Sequence, residues 1–170
     1  MAEVTISNPI KFANNAIIML TAGDILNNIS NTKDLNQDNK LLFSAGFIGG
    51  ATLTTFAIEL LLKSIMVFTS GNNSFVKGHE LNKLFTAIKD EKLKTSIIDS
   101  FENHSSTSNK LQYFLELHLK SFIDWRYFGE DKQNSISINI GAAILLVNIL
   151  RVELQTLVDN YIKQEELNKC

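Results

Sequence analysis

Glu59 and Lys63 stand four residues apart inside an otherwise apolar run, with Thr52 and Thr55 falling on the same arc of a helix. Carboxylate and ammonium at that spacing form an ion pair worth only a few tenths of a kcal/mol on an exposed helix, and one costly to desolvate in a core. The stripe is therefore either a solvated face or a polar seam that looks into a cleft or a second subunit. Three histidines are the remaining acid–base candidates: His79, His104 and His118. His79 opens a short helical segment, where it reads chiefly as a helix-start residue bonding backbone groups. His118 shares a face with Leu111, Phe114, Leu115, Phe122 and Trp125, where a hydrogen-bonded core histidine is the ordinary occupant and a tunable proton carrier the sharper one. His104 lies among serines and asparagines.

Lysine outnumbers arginine fourteen to two, so the two arginines mark positions where a planar fork is wanted. Arg126 sits between Trp125 and Tyr127, where it can stack on an aromatic ring while its fork holds Glu59, Glu130 or a phosphate. Arg151 belongs to a second polar stripe with Asn148, Gln155 and Asp159, read as the solvated outer face of the last helix, opposite Ile144, Leu145, Ile149, Val152 and Thr156. The histidines lack metal-ligand spacing, and the single cysteine, Cys170, leaves no thiolate zinc set, so neither a metal nor a cofactor is expected. Walker A, GxGxxG, HExxH and GxSxG patterns are absent from the sequence. Glu102, His104 and Ser105 are neighbours in a polar loop and do not build a triad, which needs convergent rigid elements.

The elements that must position these residues are helical. Apolar residues recur at helical spacing along nearly the whole chain. The spacing predicts a first helix from Pro9 to Ile29, a long apolar helix from Leu41 to Ser70 and a loop at Gly71–Ser74. Beyond that come a short helix opened by Gly78-His79-Glu80, another around Leu93–Phe101, a fifth from Leu111 to Phe128 and a last from Asn139 to Lys163. With 170 residues, 45% of them hydrophobic, and no repeat or linker, the chain reads as one domain over 1–170. The expected fold class is all-α, an antiparallel up-and-down bundle of about five to six helices.

A net charge of −2 and a pI near 5.9 argue against nucleic-acid binding by bulk electrostatics, leaving room for a local site. The N-terminus does not read as a secretory signal, and the expected compartment is the cytoplasm. Leu41–Phe68 is long enough for a membrane span and carries Gly46 and Gly50 in GxxxG spacing. Its serine and threonines, the Glu59/Lys63 pair and a mean hydropathy of +0.04 for the chain favour a buried central helix, with no membrane partner.

Ala57-Ile58-Glu59-Leu60-Leu61-Leu62-Lys63-Ser64, followed after a short loop by Gly78-His79-Glu80-Leu81-Asn82-Lys83-Leu84-Phe85, resembles the helix-two and helix-three signature of HEPN domains. Trp125-Arg126-Tyr127 with Glu130 is similar to the W-R-Y-x-x-E block of several HEPN subgroups. Together these blocks cover Leu41 to Glu130. The resemblance implies a helical bundle, frequently a homodimer, from prokaryotic toxin–antitoxin, antiphage or CRISPR-related modules, many members being metal-independent ribonucleases with an R-x(4–6)-H motif. This chain departs from that motif. Asp131, Lys132 and Gln133 occupy the spacing after Arg126, and Thr156, Leu157 and Val158 the spacing after Arg151.

The resemblance thus points first to a HEPN-like protein without canonical nuclease chemistry that binds RNA, a nucleotide or a cognate protein. The residues that match the family's blocks are Glu59, Lys63, His79, Arg126 and Glu130; Thr55 joins Glu59 and Lys63 in the polar seam, and Glu59, Lys63 and Arg126 are expected to approach one another. The alternatives are a noncanonical metal-independent ribonuclease using Arg126 with His118 or His79, and a membrane-associated helical protein built around Leu41–Phe68.

Overall fold

The computed structural model describes residues 2–30, 37–104, 110–117 and 139–168. Among these, six helices and one small sheet follow the chain as β1 (Glu3–Thr5), α1 (Pro9–Ser30), α2 (Gln37–Thr69), β2 (Ser74–Val76), α3 (Leu81–Thr86), α4 (Glu91–His104), α5 (Leu111–Leu117) and α6 (Ile140–Leu167). The protein is an all-α helical bundle.

Local chemistry sets the helix ends. Pro9 opens α1 with its ring already at a helical φ, while the Asn8 side chain accepts the Lys11 backbone N–H at 2.9 Å. Helix α2 stops before a turn in which Gly71 (φ +73°) and Asn73 (φ +53°) both take the left-handed conformation, one free and the other tolerated there. Asp90 accepts from Leu93 N–H at 3.1 Å to start α4. Asn139 does the same for α6, accepting from Ala142 N–H at 3.0 Å. Asn139→Ala leaves that donor without its side-chain partner and is expected to lower stability by about 1 kcal/mol, read as a shift of the urea midpoint at constant slope.

Helices α1 and α2 run antiparallel with their backbones close. The Cβ position of Gly23 would lie 3.2 Å from Thr54 Oγ1, and that of Gly49 meets Leu26, so ascending positions in one helix face descending positions in the other. Helix α2 is the axis of the molecule, packed by α1, α3, α6 and β2. Its Ile58, Leu61, Leu62 and Ile65 join Ala16 and Leu20 of α1, Leu84 of α3, Ile97 and Phe101 of α4, Leu111 and Leu115 of α5 and Leu146 and Leu150 of α6 in one core. Gly46–Thr69 and Ile140–Leu167 are each long and apolar enough to cross a membrane, and the first is mostly buried inside the bundle.

Two details depart from the sequence reading. The N-terminal residues pair with the turn after α2 as an antiparallel ribbon, Glu3 opposite Val76, Val4 opposite Phe75 and Thr5 opposite Ser74. In α6 the buried face is Ala143, Leu146, Val147, Leu150 and Leu154, whereas of the face expected inside Ile144, Leu145 and Ile149 are half-buried, Thr156 is exposed and Val152 is 61% exposed. The polar stripe Asn148, Arg151, Gln155 and Asp159 is exposed as expected, and Gln155 donates to Asp159 at 2.8 Å.

Candidate functional site

The Glu59/Lys63 pair is not on a solvated face. Glu59 is 2% exposed and Lys63 7%, both on the side of α2 that meets β2 and the start of α3. Lys63 Nζ donates to Glu59 Oε1 at 2.6 Å. Thr55, one turn earlier, is buried as well, and its hydroxyl lies 3.1 Å from the Ala51 carbonyl and 3.0 Å from that of Thr52. It is satisfied within its own helix. The polar stripe is therefore an internal seam, and Thr55 needs no ligand to satisfy its hydroxyl.

His79 completes the seam, and it does so against expectation. Rather than bonding backbone groups at the start of α3, its imidazole reaches back to α2, with Nδ1 at 3.0 Å from each Glu59 carboxylate oxygen. Glu80, not His79, stands at the N-cap of α3, and its side chain makes no cap hydrogen bond. Gly78, at φ +150°, supplies the backbone conformation between β2 and His79 that a side chain would resist. The ribbon fixes this segment from the other side, with Lys77 N–H donating to the Ala2 carbonyl at 2.9 Å.

An apolar support lies beside the polar contacts. Lys63 Nζ sits 5.3 Å from the centroid of the Phe75 ring, a cation–π distance. Phe75 in turn stacks on Phe12 of α1, centroids 5.3 Å apart and planes 13° from parallel. The lysine thus has a carboxylate on one side and an aromatic face on another, the arrangement that makes a desolvated ammonium tolerable.

The hydrogen-bond inventory assigns the histidine's proton. A carboxylate paired with an ammonium only accepts, so Nδ1 carries the hydrogen that points at Glu59, and in its neutral form the ring presents the Nε2 lone pair. The His79 side chain is 54% exposed, and among the described residues Nε2 has no hydrogen-bond partner. This is the carboxylate–imidazole arrangement that fixes a histidine's tautomer and ring orientation while leaving its far nitrogen to act.

Of the residues singled out from sequence, the structure unites Glu59, Lys63 and His79, with Thr55 below them on α2. Arg126, Glu130 and His118 lie outside the described residues, as does the Trp125 block. Phe75 and Phe12, which support the lysine, were not foreseen; no local pattern marks an aromatic that meets its partner across the bundle. Among the described residues no group of three His, Cys, Asp or Glu side chains is placed to hold a metal ion. A groove of about 340 Å³ between the start of α1 and the end of α6, walled by Pro9, Ile10, Tyr161 and Ile162, is lined by none of the three clustered residues. Comparisons with protein-family models, with curated proteins and with solved structures find no match.

Proposed function

We propose that this chain is a HEPN-like helical protein without the canonical nuclease motif, acting in the cytoplasm of a prokaryotic toxin–antitoxin, antiphage or stress module as an RNA-binding homodimer. The observation that carries the reading is the Glu59–His79 contact. Two of the three blocks on which the resemblance rests, twenty residues apart in the chain, meet there through the very residues that the blocks share with the family. A net charge of −2 fits recognition by a few placed groups better than recognition by a basic surface.

The test is binding of fluorescent single-stranded RNA by the purified chain in EDTA, with Arg126→Ala beside it. Retention of intact RNA, weakened about tenfold by the loss of one charge-assisted phosphate contact, is the expected result. A protein that holds no RNA would overturn the reading and direct the search to a nucleotide or a cognate protein.

A second reading, a metal-independent ribonuclease, draws on the half-exposed imidazole oriented by a buried carboxylate, the form in which histidine serves as a general base. RNA cut in EDTA by the native chain and left whole by His79→Ala would favour it.

A further inference from the structure

We infer that His79 is the residue by which this protein tells RNA from DNA, its Nε2 accepting a hydrogen bond from a ribose 2′-hydroxyl; the inference rests on the RNA-binding reading above. The argument begins with Glu59, which is buried and already neutralised by Lys63 at 2.6 Å. Its carboxylate does not need a second cation, yet it takes Nδ1–H of His79 on both oxygens at 3.0 Å. The result is an imidazole with its Nδ1–H committed and one orientation held. In its neutral form it offers an acceptor outward, because its sole N–H is committed to Glu59.

An acceptor of this kind is the wrong group for a phosphate, which only accepts. It suits a ligand that donates. The sugar of RNA differs from that of DNA by one such donor, the 2′-hydroxyl. Lys77, exposed two residues earlier on the same segment, supplies a cation for an adjacent phosphate. The segment carrying both is held by the β1–β2 ribbon and by Glu59, so the acceptor is placed before the ligand arrives.

The test compares three oligonucleotides of one sequence, with ribose, 2′-deoxyribose and 2′-O-methylribose, against the native chain in EDTA. The 2′-O-methyl strand keeps the oxygen and replaces the donated hydrogen with a methyl group, while the 2′-deoxy strand removes the donor without added bulk. The native chain is expected to bind the ribose strand about tenfold more tightly than either of the others. His79→Ala and His79→Gln, each checked for a native circular-dichroism spectrum, are expected to bring the three affinities to within about twofold. Equal binding of all three strands by the native chain overturns the inference and leaves the RNA-binding reading standing. So does a preference that survives in a folded His79 variant. Failure to bind any strand removes both, and because the native comparison requires no substitution, misfolding of the variants does not remove the test.

Discussion

Glu59→Ala is expected to destabilise the protein by about 3–5 kcal/mol, the range for removing one partner of a buried ion pair. The lost side chain is the smaller part of that effect. With Glu59 gone, the Lys63 ammonium stays in a position where its side chain is 9% exposed, with the Phe75 ring 5.3 Å away as its remaining electrostatic contact among the described residues. Water or a rearranged lysine must then solvate it, and either route opens the packing between α2 and β2. Lys63→Ala leaves Glu59 the His79 donor and should cost less. Replacing both residues by leucine removes the desolvation problem along with the attraction and is expected to recover most of the loss. The surface pair Lys83–Glu80 is the control. Lys83 is exposed and Glu80 partly so, their contact is 2.8 Å, and Lys83→Ala should change stability by under about 1 kcal/mol. Urea unfolding of the four variants checks the set, and a fifth, with both Glu59→Ala and Lys63→Ala, closes a double-mutant cycle that reports the pair's coupling. A Glu59→Ala loss below about 1 kcal/mol would mean that water already reaches the pair.

How much of this was legible in sequence depends on the range of the interaction. Helix ends were readable because Pro9, Gly71 and Asn139 act on their immediate neighbours, and α1, α2 and α6 begin or end within a few residues of where those signals stand. The Glu59–Lys63 bond was readable for the same reason, since four residues on a helix is contact distance. Its burial was not, because the same stripe on an outer helix would be solvated; only the arrival of α3 and β2 on that side decides it.

The Glu59–His79 contact depends on a turn, a ribbon and a positive-φ glycine acting together. The sequence identified both residues but gave His79 a local role. The β1–β2 ribbon joins residues some seventy positions apart over three pairs and has no periodic signature. In α6 the stretch Ile140–Leu150 is apolar almost all round, so periodicity cannot say which face turns inward. The bundle buries the side bearing Ala142 and Ala143 and leaves Val152 outside.

The second large effect is expected at Phe101, far from any polar group. On α4, Leu93, Ile97 and Phe101 recur every four residues and are the helix's buried side, with Phe101 fully enclosed. Its ring meets Phe114 of α5 at 5.7 Å between centroids, planes tilted by 46°. This contact and the core beneath it join α4 to α5. Phe101→Ala removes the ring and leaves a cavity that the two helices can close only by moving, at a cost of about 3–5 kcal/mol. Phe101→Leu keeps most of the volume and should lose less than half as much, whereas Val152→Ala on the exposed side of α6 should be close to neutral. Urea midpoints order the three. The same variants separate fold from site: under conditions where Phe101→Ala remains folded, its preference for ribose over 2′-O-methylribose should equal that of the native chain. His79→Ala should show the reverse, no preference at a smaller loss of midpoint, because the half-exposed ring contributes little packing while its removal takes one donor from the buried Glu59 carboxylate. A Phe101 variant that is folded and yet has lost the preference would mean that the recognition element extends through the core to α4, and that Glu59 alone does not hold His79 in place.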